Sequence, residues 1–191
     1  AGGFKTMDFF GLDVAMIGYQ GTVFPVLLAG MVFGGTYSLI VITGIHHSFH
    51  AIEAGLLTNP AIGVNFLLPI WAMANVAQGG ACLAVYFKTR DVKIKAITVP
   101  AAMSCLLGIT EAAIFGVNLR YIKPFLAGLF GGACGGAYVV AAKVGMTAVG
   151  LTGIPGMAIV QPMSLIHYVI GLVIAFGAAF AASYLLKYKV E

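Results

Sequence analysis

Charge is scarce in this sequence, so the few side chains able to do chemistry stand out, Glu111 most of all. It sits in Gly108-Ile109-Thr110-Glu111, inside a stretch from 96 to 117 that is otherwise apolar. A charged side chain at mid-bilayer costs about 2.5 to 3.5 kcal/mol on insertion scales, so it must be paired, protonated or facing water. The default reading is a functional site. The plain alternative is an ion pair with Arg120 or Lys123. A carboxylate has two acceptor oxygens for hydroxyl donors, which suits sugars.

A second cluster is His46-His47-Ser48-Phe49-His50, followed by Glu53. On a helix His46, His50 and Glu53 fall at i, i+4 and i+7, along one face. Three chemistries fit: metal ligation, a proton relay, or hydrogen bonding to a polar solute. The metal signal is weak. No further Cys/His pair stands at ligand spacing, and Gly44 and Gly55 suggest broken helix. Neither a metal nor a cofactor is therefore expected. Three histidines within five residues make simple packing the poorer account. Asn65, Asn75 and Gln78 form a third polar group, and amides in membrane helices usually bond across helices. Arg120 and Lys123 flank Tyr121. They read as interfacial anchors, or as a positive site for a phosphate or a phosphorylated partner.

The elements that carry these residues must be membrane helices. The chain is 61% apolar with 8% charged residues, against about 25% charged in soluble domains, and its mean hydropathy is +1.02. Lipid has to cover what charge cannot. The net charge of +4 is local, which argues against nucleic acid as a partner. Lys88, Arg90, Lys93 and Lys95 face only Asp91, and Lys187 and Lys189 close the chain. Both clusters flank apolar runs as positive-inside anchors, so the loop 88–95 and the C-terminus are expected in the cytoplasm. An even number of crossings then lies between them. Cys82, Cys105 and Cys134 make no C-x-x-C pair and read as small buried hydrophobes. The first residues lack a signal-peptide pattern, and the absent initiator Met predicts a chain that begins mid-protein.

The expected fold is all-α: a polytopic transmembrane helix bundle with re-entrant or broken helices. Residues 4–13 are mildly amphipathic and suit an interface. Residues 14–52 carry no charge, with Pro25 and Gly34-Gly35 near the middle, which predicts a span, a break and a second span ending near His46. Asn59-Pro60 reads as a turn. Residues 62–87 form another apolar run, with Pro69 as a kink or stop and Trp71 at an interface level. Residues 125–142 follow Pro124. Residues 146–160, interrupted by Gly153-Ile154-Pro155-Gly156, read as re-entrant, and 164–186 is the cleanest span. Gly128, Gly132 and Gly136, with Gly131 and Gly135 beside them, predict close helix packing.

The stretch Gly108-Ile-Thr-Glu-Ala-Ala-Ile-Phe-Gly-Val-Asn-Leu-Arg120 resembles the G-I-T-E signature and following G-V-N-L of a known family. That family is the membrane subunit IIC of the bacterial phosphoenolpyruvate-dependent sugar phosphotransferase system, in the sucrose and beta-glucoside branch of its glucose superfamily. Thr43-Gly-Ile-His-His47 and Gly18-Tyr-Gln-Gly-Thr-Val-Phe-Pro25 resemble two further family motifs, and residues 41–57 and 63–86 are most similar to sucrose-specific members. The resemblance implies a subunit of the bacterial inner membrane that binds a sugar, here sucrose, and carries it across. It implies a partner IIB domain whose phosphocysteine phosphorylates the sugar, and a homodimer in the intact protein. Glu111 and Thr110 of G-I-T-E, His46, His47 and Asn118 are implied to bind substrate, while Arg120 and Lys123 are candidates for the partner or its phosphate. The chain departs from the pattern in three ways. It carries no IIB domain with its phosphorylatable cysteine, it lacks the N-terminal part of IIC, and Pro25 to Val32 runs directly into Phe33, which predicts an internal shortening near 32–33. It is thus expected to be the C-terminal, sugar-binding part of a IIC permease. The competing expectations are a proton- or ion-coupled carrier and a folded but inactive fragment.

Overall fold

The computed structural model describes residues 8–9, 12–13 and 23–188. The amphipathic stretch 4–13 and the motif beginning at Gly18 fall largely outside the described residues, as does Lys189. Apart from a two-residue hairpin, Asp8–Phe9 with Leu12–Asp13, the described chain is helical and irregular. The long helices are α1 (Val23–Thr43), α2 (Phe49–Thr58), α3 (Leu67–Lys88) and α4 (Val92–Leu106), then, after a distorted segment, α5 (Lys123–Ala141) and α6 (Leu165–Leu185).

Local chemistry sets the helix ends. Asn65 acts as a cap for α3: its Oδ1 accepts the Leu67 and Leu68 N–H groups at 3.1 and 3.0 Å. Pro69 therefore neither kinks nor stops a helix. It stands in the first turn of α3, where a missing N–H costs little. Asp91 caps α4 through Lys93 N–H at 2.7 Å. Gly34-Gly35 is not the expected break, because α1 runs through it without interruption. The break comes at Gly44, where a short 3-10 turn, Ile45–Ser48, leads into α2 at 114° to α1.

Helix α3 is the hub, packed by α1, α4, α5 and α6 and buried along nearly its whole length. Trp71 is accordingly a core residue at 1% exposure and not an interfacial one; it stacks on Tyr37 at 4.4 Å. The glycines explain how five helices crowd together. A Cβ on Gly34 would stand 2.2 Å from the Gly132 carbonyl oxygen, and one on Gly132 would stand 2.4 Å from that of Gly34. Helices α1 and α5 thus meet backbone to backbone, a contact only glycine permits. Helix α6 shows the same logic with small residues. Gly171, Ala175, Ala179 and Ser183 face the bundle, while Ile166, Val173 and Leu185 face out. The most apolar span is the most exposed one, as expected where the surroundings are lipid.

Among the described residues, three helices, Leu67–Lys88, Lys123–Ala141 and Pro162–Leu185, are long and apolar enough to cross a membrane, and the bent pair Leu27–Thr43 with Ile45–Thr58 makes a fourth if it counts as one span. Residues 144–164 do not span. Met146 bridges both Asn65 and Val160, and short 3-10 turns follow at Pro155–Ala158 and Pro162–Ser164. Both basic clusters meet at one end of the bundle: Lys88 Nζ donates to the carbonyls of Ser183, Tyr184 and Leu186, and Lys123 Nζ to that of Lys187.

Candidate functional site

Two interruptions of helical structure, far apart in sequence, face each other. The first is the α1–α2 break that carries the histidines. The second is residues 107–110, where α4 stops and the Glu111 segment starts. Gly108 makes this second turn possible. Its φ is +89°, and a Cβ there would stand 2.3 Å from Thr152 Oγ1, so both backbone and space call for glycine. Ser104 fastens the turn, its hydroxyl donating to the Ile109 carbonyl at 2.8 Å. After it, residues 111–121 form one distorted helix: an α-turn Glu111–Ala113, a π-helical turn Ile114–Asn118 and a last turn Leu119–Tyr121. Such π-turns recur at functional sites.

Between these breaks lies a half-enclosed cavity of about 230 Å³. His46, His47 and Glu111 all line it, although more than 60 residues separate the histidines from the carboxylate. Glu111 is exposed on the cavity and makes no ion pair with Arg120 or Lys123, so that alternative does not describe it. The His46 and His47 rings lie 4.0 Å apart, and His47 and His50 5.9 Å apart. His46 Nδ1 is buried without a partner. Because the chain breaks at Gly44, the single face expected for His46, His50 and Glu53 is split between a 3-10 turn and a helix, yet all three still reach the cavity. Among the described residues, no three His, Cys, Asp or Glu side chains gather as a metal site.

Thr110 is buried just before Glu111 and does not line the cavity. Asn118 does not reach it either. Its amide donates to the Gln78 carbonyl at 3.0 Å and to Gln78 Oε1 at 2.8 Å, tying the π-turn to α3. Arg120 and Lys123 stand at the basic end of the bundle, away from the cavity. The cavity also takes in Tyr37 and Thr152, which the sequence did not single out, and Glu53 and Asn75, which it placed in polar clusters without assigning them to the substrate site. Asn75 Nδ2 donates to Thr152 Oγ1 at 3.0 Å and approaches the Gly108 carbonyl at 3.4 Å, which pins residues 150–153 over the cavity. The Tyr168 hydroxyl holds the same segment from below through the Gly153 carbonyl at 2.7 Å. Glu53 is fully buried and held by Asn65 at 3.3 Å and His50 at 3.5 Å. The Trp71 indole N–H lies beside this carboxylate, outside hydrogen-bonding geometry.

A helical membrane bundle with a polar cleft between broken helices, lined by two carboxylates and three histidines, has the makings of a domain that handles a polar solute within the membrane. The comparisons sharpen that class. The chain matches the family "Phosphotransferase system, EIIC" over residues 22–132, and it belongs to that family. It is similar to the "PTS system sucrose-specific EIIBC component" of Salmonella typhimurium, 56% identical over 257 aligned residues, covering 100% of this chain and 56% of the relative. The protein of that name from Bacillus subtilis (strain 168) is 46% identical over 95% of this chain and 54% of its own length. The "PTS system trehalose-specific EIIBC component" of the same organism is 40% identical over 82% and 33%. The chain thus spans about half the length of the sucrose-specific relatives. No solved structure matches it.

Proposed function

We propose that this chain is the sugar-binding part of a sucrose-specific IIC permease, working with a IIB domain that phosphorylates the sugar as it enters the cell. The observation that carries the reading is the convergence of Glu111, His46 and His47 on one cavity. Support for sucrose comes from relatives named sucrose-specific at 56% and 46% identity. Support for the IIB partner comes from their description as EIIBC components.

In this reading Glu111 accepts hydrogen bonds from sugar hydroxyls, with His46 and His47 on the facing wall. Phosphoryl transfer breaks the S–P bond of the IIB phosphocysteine and forms an O–P bond to a sugar hydroxyl. The thiolate leaves with the electron pair, and a histidine or Glu111 takes the hydroxyl proton. Positioning of the two reactants dominates such a reaction. Arg120 and Lys123, at the end of the bundle that gathers Lys88, face the cytoplasm and receive the partner domain or its phosphate. Asn118 acts on the sugar through the π-turn it anchors, and Thr110 through the turn that presents Glu111. The intact protein sits in the inner membrane and is a homodimer.

We further propose that the chain is internally shortened, upstream of the junction at 32–33 that the sequence suggested. The alignment with the Salmonella typhimurium relative runs over 257 positions against 191 residues here, a difference of 66. Relatives matched over 86% of the chain across 168 and 165 positions carry no such excess, so the missing positions lie outside that shared stretch, within the terminal 14% of the chain, and not at 32–33 itself. A second reading, a proton-coupled carrier, is favoured by the His50–Glu53 contact at 3.5 Å. Sucrose uptake measured in cells with and without a working phosphotransfer chain separates the two. Uptake that disappears with the chain supports the phosphotransferase reading, and uptake that persists overturns it. A folded protein that never takes up or binds sugar would be an inactive remnant.

A further inference from the structure

We propose that Glu53 is a second sugar-binding carboxylate, accepting a hydroxyl hydrogen bond at the closed side of the cavity; the assignment rests on the sugar-site reading above. Glu53 and Glu111 line the same cavity, but Glu111 is exposed and the Glu53 side chain is fully buried. One carboxylate therefore meets the solute on entry, and the other meets whatever reaches deepest.

The two oxygens of Glu53 differ. Oε2 is held by Asn65 Nδ2 at 3.3 Å and His50 Nδ1 at 3.5 Å. Asn65 is itself fixed by capping α3 with its Oδ1, so this half of the carboxylate is set by the scaffold. Oε1 is buried and has no partner. The buried Trp71 indole N–H lies beside the carboxylate but does not line the cavity. Tyr37, which lines the cavity, stacks on that indole and fixes its plane. Native interiors rarely leave a buried carboxylate oxygen open. Because Glu53 lines the cavity, a sugar hydroxyl closes this gap by donating its O–H to Oε1. A site built to bond one hydroxyl discriminates strongly against the analogue that lacks it, so Glu53 determines specificity.

The test is calorimetric titration of the full chain in detergent with sucrose and a set of monodeoxysucroses, using wild type and Glu53→Gln, with thermal melts to establish folding. The expected result has two parts. Wild type binds one deoxysucrose about 10- to 100-fold more weakly than sucrose. Glu53→Gln weakens sucrose by a similar factor and no longer distinguishes it from that analogue. Unchanged sucrose binding by Glu53→Gln overturns the assignment. So does an equal loss for sucrose and every analogue, which would mark a purely structural role. If Glu53→Gln does not fold, Glu53→Asp keeps the charge and draws the carboxylate back from the cavity. Loss of the same discrimination supports the assignment, and its retention overturns it. A wild-type chain that folds and binds none of these sugars overturns the sugar-site reading and Glu53 with it, whereas sucrose binding abolished by Glu111→Gln but untouched by Glu53→Gln overturns Glu53 alone.

Discussion

Substituting Gly34 by alanine tests the packing that places the histidine-bearing wall. The added Cβ would stand 2.2 Å from the Gly132 carbonyl oxygen and 3.2 Å from the Gly136 Cα. Ordinary contact begins about 1 Å further out, so α1 and α5 must separate or slide by roughly that much. Both obstacles are backbone and cannot rotate away. Overpacking of this kind costs about 1–3 kcal/mol, and in a chain of this size that lowers the melting temperature by roughly 3–10 °C. Tyr37 lies one turn beyond Gly34 and lines the cavity, so sucrose affinity falls as well. The assay is thermal unfolding in detergent, with sucrose titration on the folded protein. Gly177→Ala is the control, since a Cβ there meets nothing within 4 Å. Removing its glycine from α6 gains up to about 1 kcal/mol of helix propensity. A Gly34→Ala protein that melts with wild type, or a Gly177→Ala protein that falls as far, would refute the packing argument.

Asn118→Ala removes both bonds to Gln78 and frees the π-turn that follows Glu111. A loss of about 1–3 kcal/mol in stability is expected, together with weaker sucrose binding, read by melting and titration. At Tyr188, beyond the end of α6, burial pushes the phenol above its ordinary value of 10.0, against the pull of the Ser183 hydroxyl. The folded chain therefore holds this proton more tightly than the unfolded one. Its contribution is complete below pH 10 and is lost as pH rises through the folded value. Tyr188→Phe should flatten the alkaline limb of stability against pH, and an unchanged limb would count against it.

The membrane bundle was legible because so few charges leave no other surface, and α5 and α6 fall close to the runs expected from apolarity alone. Breaks were harder to place. Gly34-Gly35 looks like an interruption in sequence, but inside a bundle glycine buys close approach, and α1 passes through unbroken. Trp71 looks like an interfacial anchor, yet α3 is enclosed on all sides and its indole is stacked on Tyr37 in the core. Glu111, His46 and His47 were visible because charged or imidazole groups within apolar runs are expensive. Asn75 and Thr152, 77 residues apart, give no local sign that they meet. Glu53 was noticed only as part of a periodic face; its place in the cavity depends on the bend after Gly44 and on Asn65 at the start of α3.

Equilibrium binding of sucrose, maltose and glucose to the purified chain in detergent, with Glu111→Gln alongside, tests the central claim most directly. The account predicts saturable binding of sucrose in preference to the other two, lost on the substitution while the melting temperature is kept. A folded chain that binds no sugar, or a Glu111→Gln protein that binds sucrose as wild type does, would contradict it.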